Sequence, residues 1–406
     1  MGLSGHREAG EGGGVFLTAF FVFCGLSVAS NLYSLIPVSG LIANDFHLSQ
    51  KSAALASSVF LVAYAAGFLL LAKILDAVSR RVMLGAGLAI LGLLTLAVGF
   101  SASFVELLGL RFLQGLAASI VAPTVLAFVM ESYPDRRKAT ALAFVTAGFL
   151  MAGVVGQVAG LGMARLWGWR GIFTAMGLVH LATIALVGII PGGARSPSSR
   201  GGEKSSLPSL LREGELRKYY LVAFTLMSSF VGIYVAMGSR YAGEGGAVAD
   251  RLFMLRAIGL LGMLPSPLAG YFGKLLGQRA LLAASLALAT AGMVLETLLP
   301  SSSLPAMAGC TVLFVLGIAI AMPTLIGLIG GKAGAARGPA VSLFMFTLFF
   351  GASLAPVLAT GVDFHLVDPT LAVLLGLGLV IVLSMGRGDQ GREPRLSQNR
   401  DRSHRG

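Results

Sequence analysis

Two groups of polar residues stand where a largely apolar chain offers chemistry. Arg111 and Gln114, three residues apart, fall on one helical face with Gly115 and Ala118, inside a long apolar run. A cation near the centre of a membrane helix costs roughly 2.5 to 3.5 kcal/mol on insertion scales, so one retained there marks a site. The competing reading lets Arg111 snorkel to the outer surface, with its stem along the helix. Glu106 lies toward that surface, about one and a half turns away, and the face shared with Gln114 favours an inward direction. The second group is Asp76, Arg80 and Arg81, at the end of an apolar run, where Asp76 and Arg80 share a face if the helix extends that far. Other chemistry is missing. His6, His47, His180, His365 and His404 are scattered, Cys24 and Cys310 sit in apolar runs as small side chains, and no metal-ligand spacing, phosphate loop or nucleotide fingerprint is present. A catalytic cluster, a metal and a cofactor are therefore not expected.

Composition says what must position these groups. The 406 residues are 56% hydrophobic and 12% charged, with a mean hydropathy of +0.84, against about 25% charged in soluble chains. The chain is an integral membrane protein. Its pI near 10.2 reflects charges in short loops and tails, which suits topology control by lysine and arginine and argues against nucleic acid. Twelve apolar runs of spanning length occur near 15–38, 52–74, 82–100, 103–130, 138–163, 170–190, 219–239, 252–273, 280–299, 305–330, 338–361 and 369–385. The first is too long for a signal-peptide core and has no small-residue cleavage site. His6 stands where a myristoylation signal needs serine or threonine. The expected organisation is an all-α membrane fold: a disordered segment 1–14, a six-helix bundle 15–190, a Pro/Gly/Ser-rich linker 191–218, a second bundle 219–385 and a disordered arginine-bearing tail 386–406. A short surface helix is expected at LPSLLREGEL within the linker.

The halves read as copies of one unit. Residues 72–81 align with 270–279 at an offset of 198, placing Arg81 on Arg279; APTVLAFV from Ala122 aligns with MPTLIGLI from Met322 at 200, placing Arg137 on Arg337. If the N-terminus is inside, 23 of the 30 lysines and arginines fall on the cytoplasmic side, so both termini are expected there.

At these residues the chain resembles the major facilitator superfamily of secondary transporters, from the first run to the twelfth. AKILDAVSRR is similar to its loop motif between helices two and three: Asp76, Arg80 and Arg81 match, while Ala72 and Ser79 replace glycines and Ala77 an arginine. LLGLRFLQGLAAS resembles the fourth-helix motif, with Leu107, Arg111, Gln114, Gly115, Ala117 and Ala118 in place. GVVGQVAG resembles the antiporter motif of helix five through Gly153, Gly156 and Gly160, with Gln157 where proline is usual. The resemblance implies two six-helix bundles rocking about a midplane site. It implies a charge network that holds the outward-facing state, in which Asp76 meets the start of helix eleven at Arg337 and Pro339, joined by the matching acid Glu131. The bland reading makes these charges topology determinants and surface pairs worth at most about 1 kcal/mol each.

For Arg111 the resemblance implies a part in substrate or proton coupling, with Gln114 beside it. Asn31, Tyr33, Tyr64, Ser228, Ser229, Tyr234 and Thr324 fall on helices that line the family's central cavity, though ordinary interhelical hydrogen bonds explain any one of them equally well. Gly148, Gly153, Gly156 and Gly160 leave a groove for close helix packing. Arg240 and Arg256 read as interface anchors, with greeting an anionic substrate as the alternative, and Glu296 as a snorkelling acid near the outer end of a peripheral helix. Helices one, seven and ten carry no central acid. The expected function is proton-coupled efflux of a sugar or amphipathic drug-like compound by a monomer in the cell membrane. The alternatives are import or facilitated passage of an organic anion, and a non-transporting sensor or enzyme on the same fold.

Overall fold

The computed structural model describes residues 11–71, 78–188, 190, 207–240, 246–299, 303–361 and 364–385. Among them the chain is helical throughout: α1 Glu11–Tyr33, α2 Ser39–Asp45, α3 Gln50–Leu70, α4 Arg80–Gly99, α5 Phe104–Ala118, α6 Val121–Ser132, α7 Asp135–Val187, α8 Leu207–Arg212, α9 Gly214–Arg240, α10 Gly246–Met263, α11 Ala269–Leu276, α12 Gln278–Leu298, α13 Leu304–Ala333, α14 Arg337–Gly361 and α15 Phe364–Ser384. Ten stretches are long and apolar enough to cross a membrane. In hydrocarbon only intrahelical hydrogen bonding satisfies every backbone group, which is why helices carry the whole crossing.

The twelve runs map onto these helices with informative breaks. The fifth and sixth runs are the two limbs of α7, whose 53 residues would measure about 80 Å if straight. Gly168, at φ +68° and ψ 179°, breaks it. The first limb runs alongside α1, so that a Cβ on Gly148, Gly156 or Gly160 would touch Val22, Ser30 or Ser34. The second limb runs back along α4: Gly99 meets Arg170 and Gly85 meets Val187. Three other runs bend at proline. Pro37 opens a short 3-10 turn between α1 and α2, Pro123 follows the break between α5 and α6, and Pro265 with Pro267 separates α10 from α11.

Two boundaries depart from the sequence expectation. Helix α1 starts at Glu11, within the glycine-rich segment expected to be disordered, and α9 starts at Gly214, within the expected linker. In both, the helix continues beyond its apolar stretch by about a turn. In α9 that turn is held by Glu215, which receives Arg279 Nη2 of α12 at 3.0 Å and Lys332 Nζ of α13 at 2.9 Å. Arg279 Nε also donates to Tyr219 Oη at 3.2 Å. The short helix expected in the linker is α8, with Leu210 buried.

Helices α1 to α7 make one bundle and α9 to α15 the other. They meet at a seam where α3 lies on α14 and α7 lies on α10. Aromatic rings close this seam: Tyr64 stands edge-on to Phe349 at 4.7 Å, and Tyr33 edge-on to Phe230 at 6.0 Å. A Cβ on Gly153 would strike the Phe230 ring at 2.6 Å, so this glycine lets α7 approach the second bundle.

Three glycine substitutions separate packing from backbone conformation. In Gly115 an added Cβ would lie 2.4 Å from the Phe60 carbonyl oxygen, so Gly115→Leu is expected to lower detergent-solubilised stability by about 1 to 3 kcal/mol or more. Gly109, with open space around it, is expected to accept alanine with no loss. At Gly168 nothing obstructs a side chain, yet φ is positive, so Gly168→Ala is expected to cost about 1 to 2 kcal/mol through strain alone. Thermal unfolding of the three variants followed by intrinsic fluorescence checks the ranking.

Candidate functional site

The polar centre of the first bundle is built around Arg111 of α5, which is fully buried. Its Nε donates to the Ala56 carbonyl of α3 at 3.1 Å, Nη1 to Gln114 Oε1 at 2.7 Å, and Nη1 and Nη2 to the Asn31 carbonyl of α1 at 3.4 and 3.3 Å. The guanidinium carbon lies 4.1 Å from the Phe60 ring centroid and 5.6 Å from that of Phe173, which places the charge over aromatic faces. All of these acceptors are neutral. The helical spacing of Arg111 and Gln114 therefore does what the sequence suggests, bringing both into one interior position, and snorkelling is overturned by complete burial.

Gln114 carries the network onward. Its Nε2 donates to Thr95 Oγ1 of α4 at 2.8 Å and to Asn31 Oδ1 at 3.1 Å. Asn31 Nδ2 in turn meets His180 Nε2 of α7 at 3.3 Å and the carbonyls of Ser27 and Val28 at 3.3 and 3.2 Å. Asn31, Thr95, Gln114 and His180 are all buried. Sequence reasoning named Asn31 and Gln114 but missed His180 and Thr95. The available signal was weak: one histidine in the middle of an apolar run, with no spacing relation to Arg111.

The remaining candidates scatter. Tyr33 and Tyr64 are buried at the bundle seam. Ser229 Oγ donates to the Leu371 carbonyl of α15 at 3.3 Å, and Thr324 Oγ1 to its own helix at Ile320; both act within their bundle. Ser228 Oγ is buried without a hydrogen-bond partner among the described residues. Gln157 is buried and donates to the Gly153 carbonyl at 2.7 Å, a bond inside its own helix.

Two expectations for the second bundle are corrected. Arg256 of α10 does not anchor at an interface: it is fully buried, and its Nη2 donates to the Tyr234 carbonyl of α9 at 2.9 Å. Its Nε and Nη1, and Tyr234 Oη, have no hydrogen-bond partner among the described residues. Glu296 does not snorkel either, being 2% exposed on the inner side of α12. Both sit near helix ends in sequence but face the bundle interior. Counting distance along a helix reveals depth and leaves direction open.

Of the expected charge network, Arg80 is buried at the start of α4, and Arg81 Nη2 donates to the Gly188 carbonyl at 2.6 Å. Asp76 lies outside the described residues. Glu131 and Arg337 lie on α6 and α14, with side chains outside the description, as is that of Arg240 on α9.

Two cavities open toward the face at which α1 begins. One, of about 890 Å³, is lined by Glu215, Tyr219, Gln278, Arg279 and Lys332 with apolar walls from α13 and α15. The other, of about 840 Å³, lies between α1 and the first limb of α7; it is walled by Val22, Leu26 and Phe144 and rimmed by Thr18, Tyr133 and Arg137. Thr18 and Tyr133 hydroxyls stand 3.0 Å apart at its edge. No His/Cys/Asp/Glu cluster fit to hold a metal occurs among the described residues.

Comparison with known proteins agrees with this architecture. The chain matches the sequence profile described as Major Facilitator Superfamily over residues 15–356. It is 24% identical over 253 residues to an uncharacterized MFS-type transporter, YybF, of Bacillus subtilis (strain 168), a match spanning 60% of this chain and 62% of that protein. The fold is similar to that of a bacterial homolog of the human lysosomal transporter Spinster in its inward-facing state, both unoccupied and occupied. Each has a TM-score of 0.70 and 16% identity over 91% of this chain and 96% of that one. With its helical membrane architecture and a profile match over most of its length, the chain belongs to the major facilitator superfamily.

Proposed function

We propose that this protein moves an amphipathic organic anion across the cell membrane, coupled to protons, with Arg111 as the group that answers the anion's charge. Membership of the superfamily makes it a multi-pass membrane transporter working by alternating access, and not an enzyme. The substrate class is carried by one observation: Arg111 is fully buried and its hydrogen bonds among the described residues go to neutral acceptors. A buried cation without a counter-ion is stabilised most by an anion that arrives with the substrate. Arg256, buried with two nitrogens unpartnered, supports the same sign of charge in the second bundle. The apolar walls of the cavity between α1 and α7, with Arg137 at its rim, suit a molecule with an apolar body and a charged end.

The seam supplies the moving parts. Arg111 contacts α1 and α3, and α3 is one of the helices that meet the second bundle, so rocking of the bundles opens a route to the guanidinium. The proposal includes termini in the cytoplasm, a monomer as the working unit, and bundle limits at 15–190 and 219–385. Export by proton exchange is a second reading, favoured by the glycine row Gly153, Gly156 and Gly160 with its likeness to the antiporter motif and its close approach to α1 and α9.

Proteoliposomes of known orientation test both. Radiolabelled amphipathic carboxylates, sugars and cationic amphiphiles are supplied in turn while a trapped dye reports internal pH. The anion reading expects carboxylate flux with proton movement, reduced about tenfold or more in Arg111→Ala, as loss of a charge-assisted hydrogen bond predicts. Arg111→Lys keeps the charge but loses the three-way fork, and is expected to fall between. Flux of sugars or cations with proton counterflow, unaffected in Arg111→Ala, overturns the anion reading in favour of export.

A further inference from the structure

We infer that His180 is a proton-accepting site of the first bundle, kept unprotonated by the hydrogen-bond chain from Arg111 and filled when that chain lets go. The argument is one of donor and acceptor accounting. A guanidinium can only donate, so Gln114 must turn its oxygen to Arg111 Nη1, at 2.7 Å. Its amide nitrogen then points the other way, to Thr95 Oγ1 and to Asn31 Oδ1. The Thr95 hydroxyl hydrogen is committed to the Leu91 carbonyl at 2.6 Å, so its oxygen is free to accept from Gln114. With Oδ1 taken by Gln114, Asn31 presents its nitrogen to His180 Nε2 at 3.3 Å. The same nitrogen lies 3.3 and 3.2 Å from the Ser27 and Val28 carbonyls, so once Gln114 lets go only these long bonds within its own helix hold the Asn31 amide.

The chain therefore has a direction, and it ends on an acceptor. His180 Nε2 must carry a lone pair as long as Arg111 holds Gln114; a proton there would face the Asn31 N–H donor to donor. With Nε2 accepting, the ring hydrogen belongs on Nδ1, which has no hydrogen-bond partner among the described residues. The groups packed against the imidazole offer no competing acid. Helix α4, which meets the second limb of α7 through Gly92 and Gly177, has Arg80 and Arg81 at its start as its only charges. Helix α1 contributes Asn31, with Cys24 two turns before it on the same face, Tyr33 on another face and Glu11 at its far start, while α5 contributes Arg111 two amides away and Glu106 in its first turn.

Occupation of His180 by a proton and retention of Arg111 by the chain are thus mutually exclusive. Anything that draws Arg111 away allows Gln114 and Asn31 to turn and exposes a lone pair for protonation. On the reading of Arg111 as the anion-binding group, this links a negative substrate to an incoming proton; the protonation itself does not depend on that reading.

Solution or solid-state NMR of the purified full-length protein with ¹⁵N-labelled histidine tests the site without transport, with His180→Gln identifying the resonance. The wild type is expected to show His180 as the neutral Nδ1–H tautomer, without titration between pH 5 and 8, on the order of the range in which free imidazole changes charge. Gln114→Met removes the chain and is expected to raise its titration midpoint by about one pH unit or more. Asn31→Asp places an acceptor against Nε2 and is expected to give a protonated ring near pH 7. An Nε2–H tautomer in the wild type, or identical titration in the wild type and both variants, overturns the proposal. Proton-coupled flux of a carboxylate in liposomes is then read separately in His180→Gln. Lost proton movement with retained anion flux supports the link, and unchanged coupling removes it while leaving the NMR result standing.

Discussion

A fully buried guanidinium is the constraint from which much of the first bundle follows. Arg111 cannot reach solvent, and an unmet N–H in that setting loses its hydration with nothing in return. Three helices are drawn to it as a result: α1 and α3 each supply a backbone carbonyl, and α5 supplies Gln114. The α3 carbonyl is within reach because Gly115, where a Cβ would lie 2.4 Å from the Phe60 carbonyl oxygen, lets α5 approach α3 closely. The aromatic faces of Phe60 and Phe173 complete the shell. Charge, close helix approach and aromatic packing are one device.

The second bundle resolves the same problem differently. Arg256 donates one bond to the Tyr234 carbonyl and keeps two nitrogens unpartnered, while Tyr234 stands edge-on to Phe230 at 5.4 Å and Phe230 meets Tyr33 across the seam. The tighter polar satisfaction of the first bundle and the open bonding capacity of the second make the halves unequal despite their shared origin. Arg111 aligns with Thr311 at the repeat offset of 200, and Thr311 merely returns its hydroxyl to Met307. Duplication preserved the helices and not the chemistry.

At the face where α1 begins, ordinary surface electrostatics suffice. Glu215 ties α9 to α12 and α13 through Arg279 and Lys332, with side chains about one third exposed, so each pair contributes modestly and salt weakens it. The geometric effect is larger than the energetic one, because three helix ends belonging to distant parts of the chain share a single carboxylate. Arg279 is the repeat partner of Arg81, which uses the Gly188 carbonyl instead.

Much of the fold was legible in the sequence, because a bilayer imposes a length and a polarity on each crossing that can be counted residue by residue. The apolar runs and the shared face of Arg111 and Gln114 follow from local spacing alone, whereas the breaks beside Pro37, Pro123 and Pro265 were seen only in the fold. Direction across a helix did not: Arg256 and Glu296 looked like anchors by depth and proved to be interior groups, and His180 looked isolated until α7 reversed at Gly168 and carried it to Asn31. The sequence by itself determined which segments enter the membrane and that a charge goes with them, since hydrophobicity is additive along the chain. Which side chains that charge faces was decided only by tertiary structure, because hydrogen-bond partners 80 to 149 residues apart in sequence are brought together by packing and by nothing local.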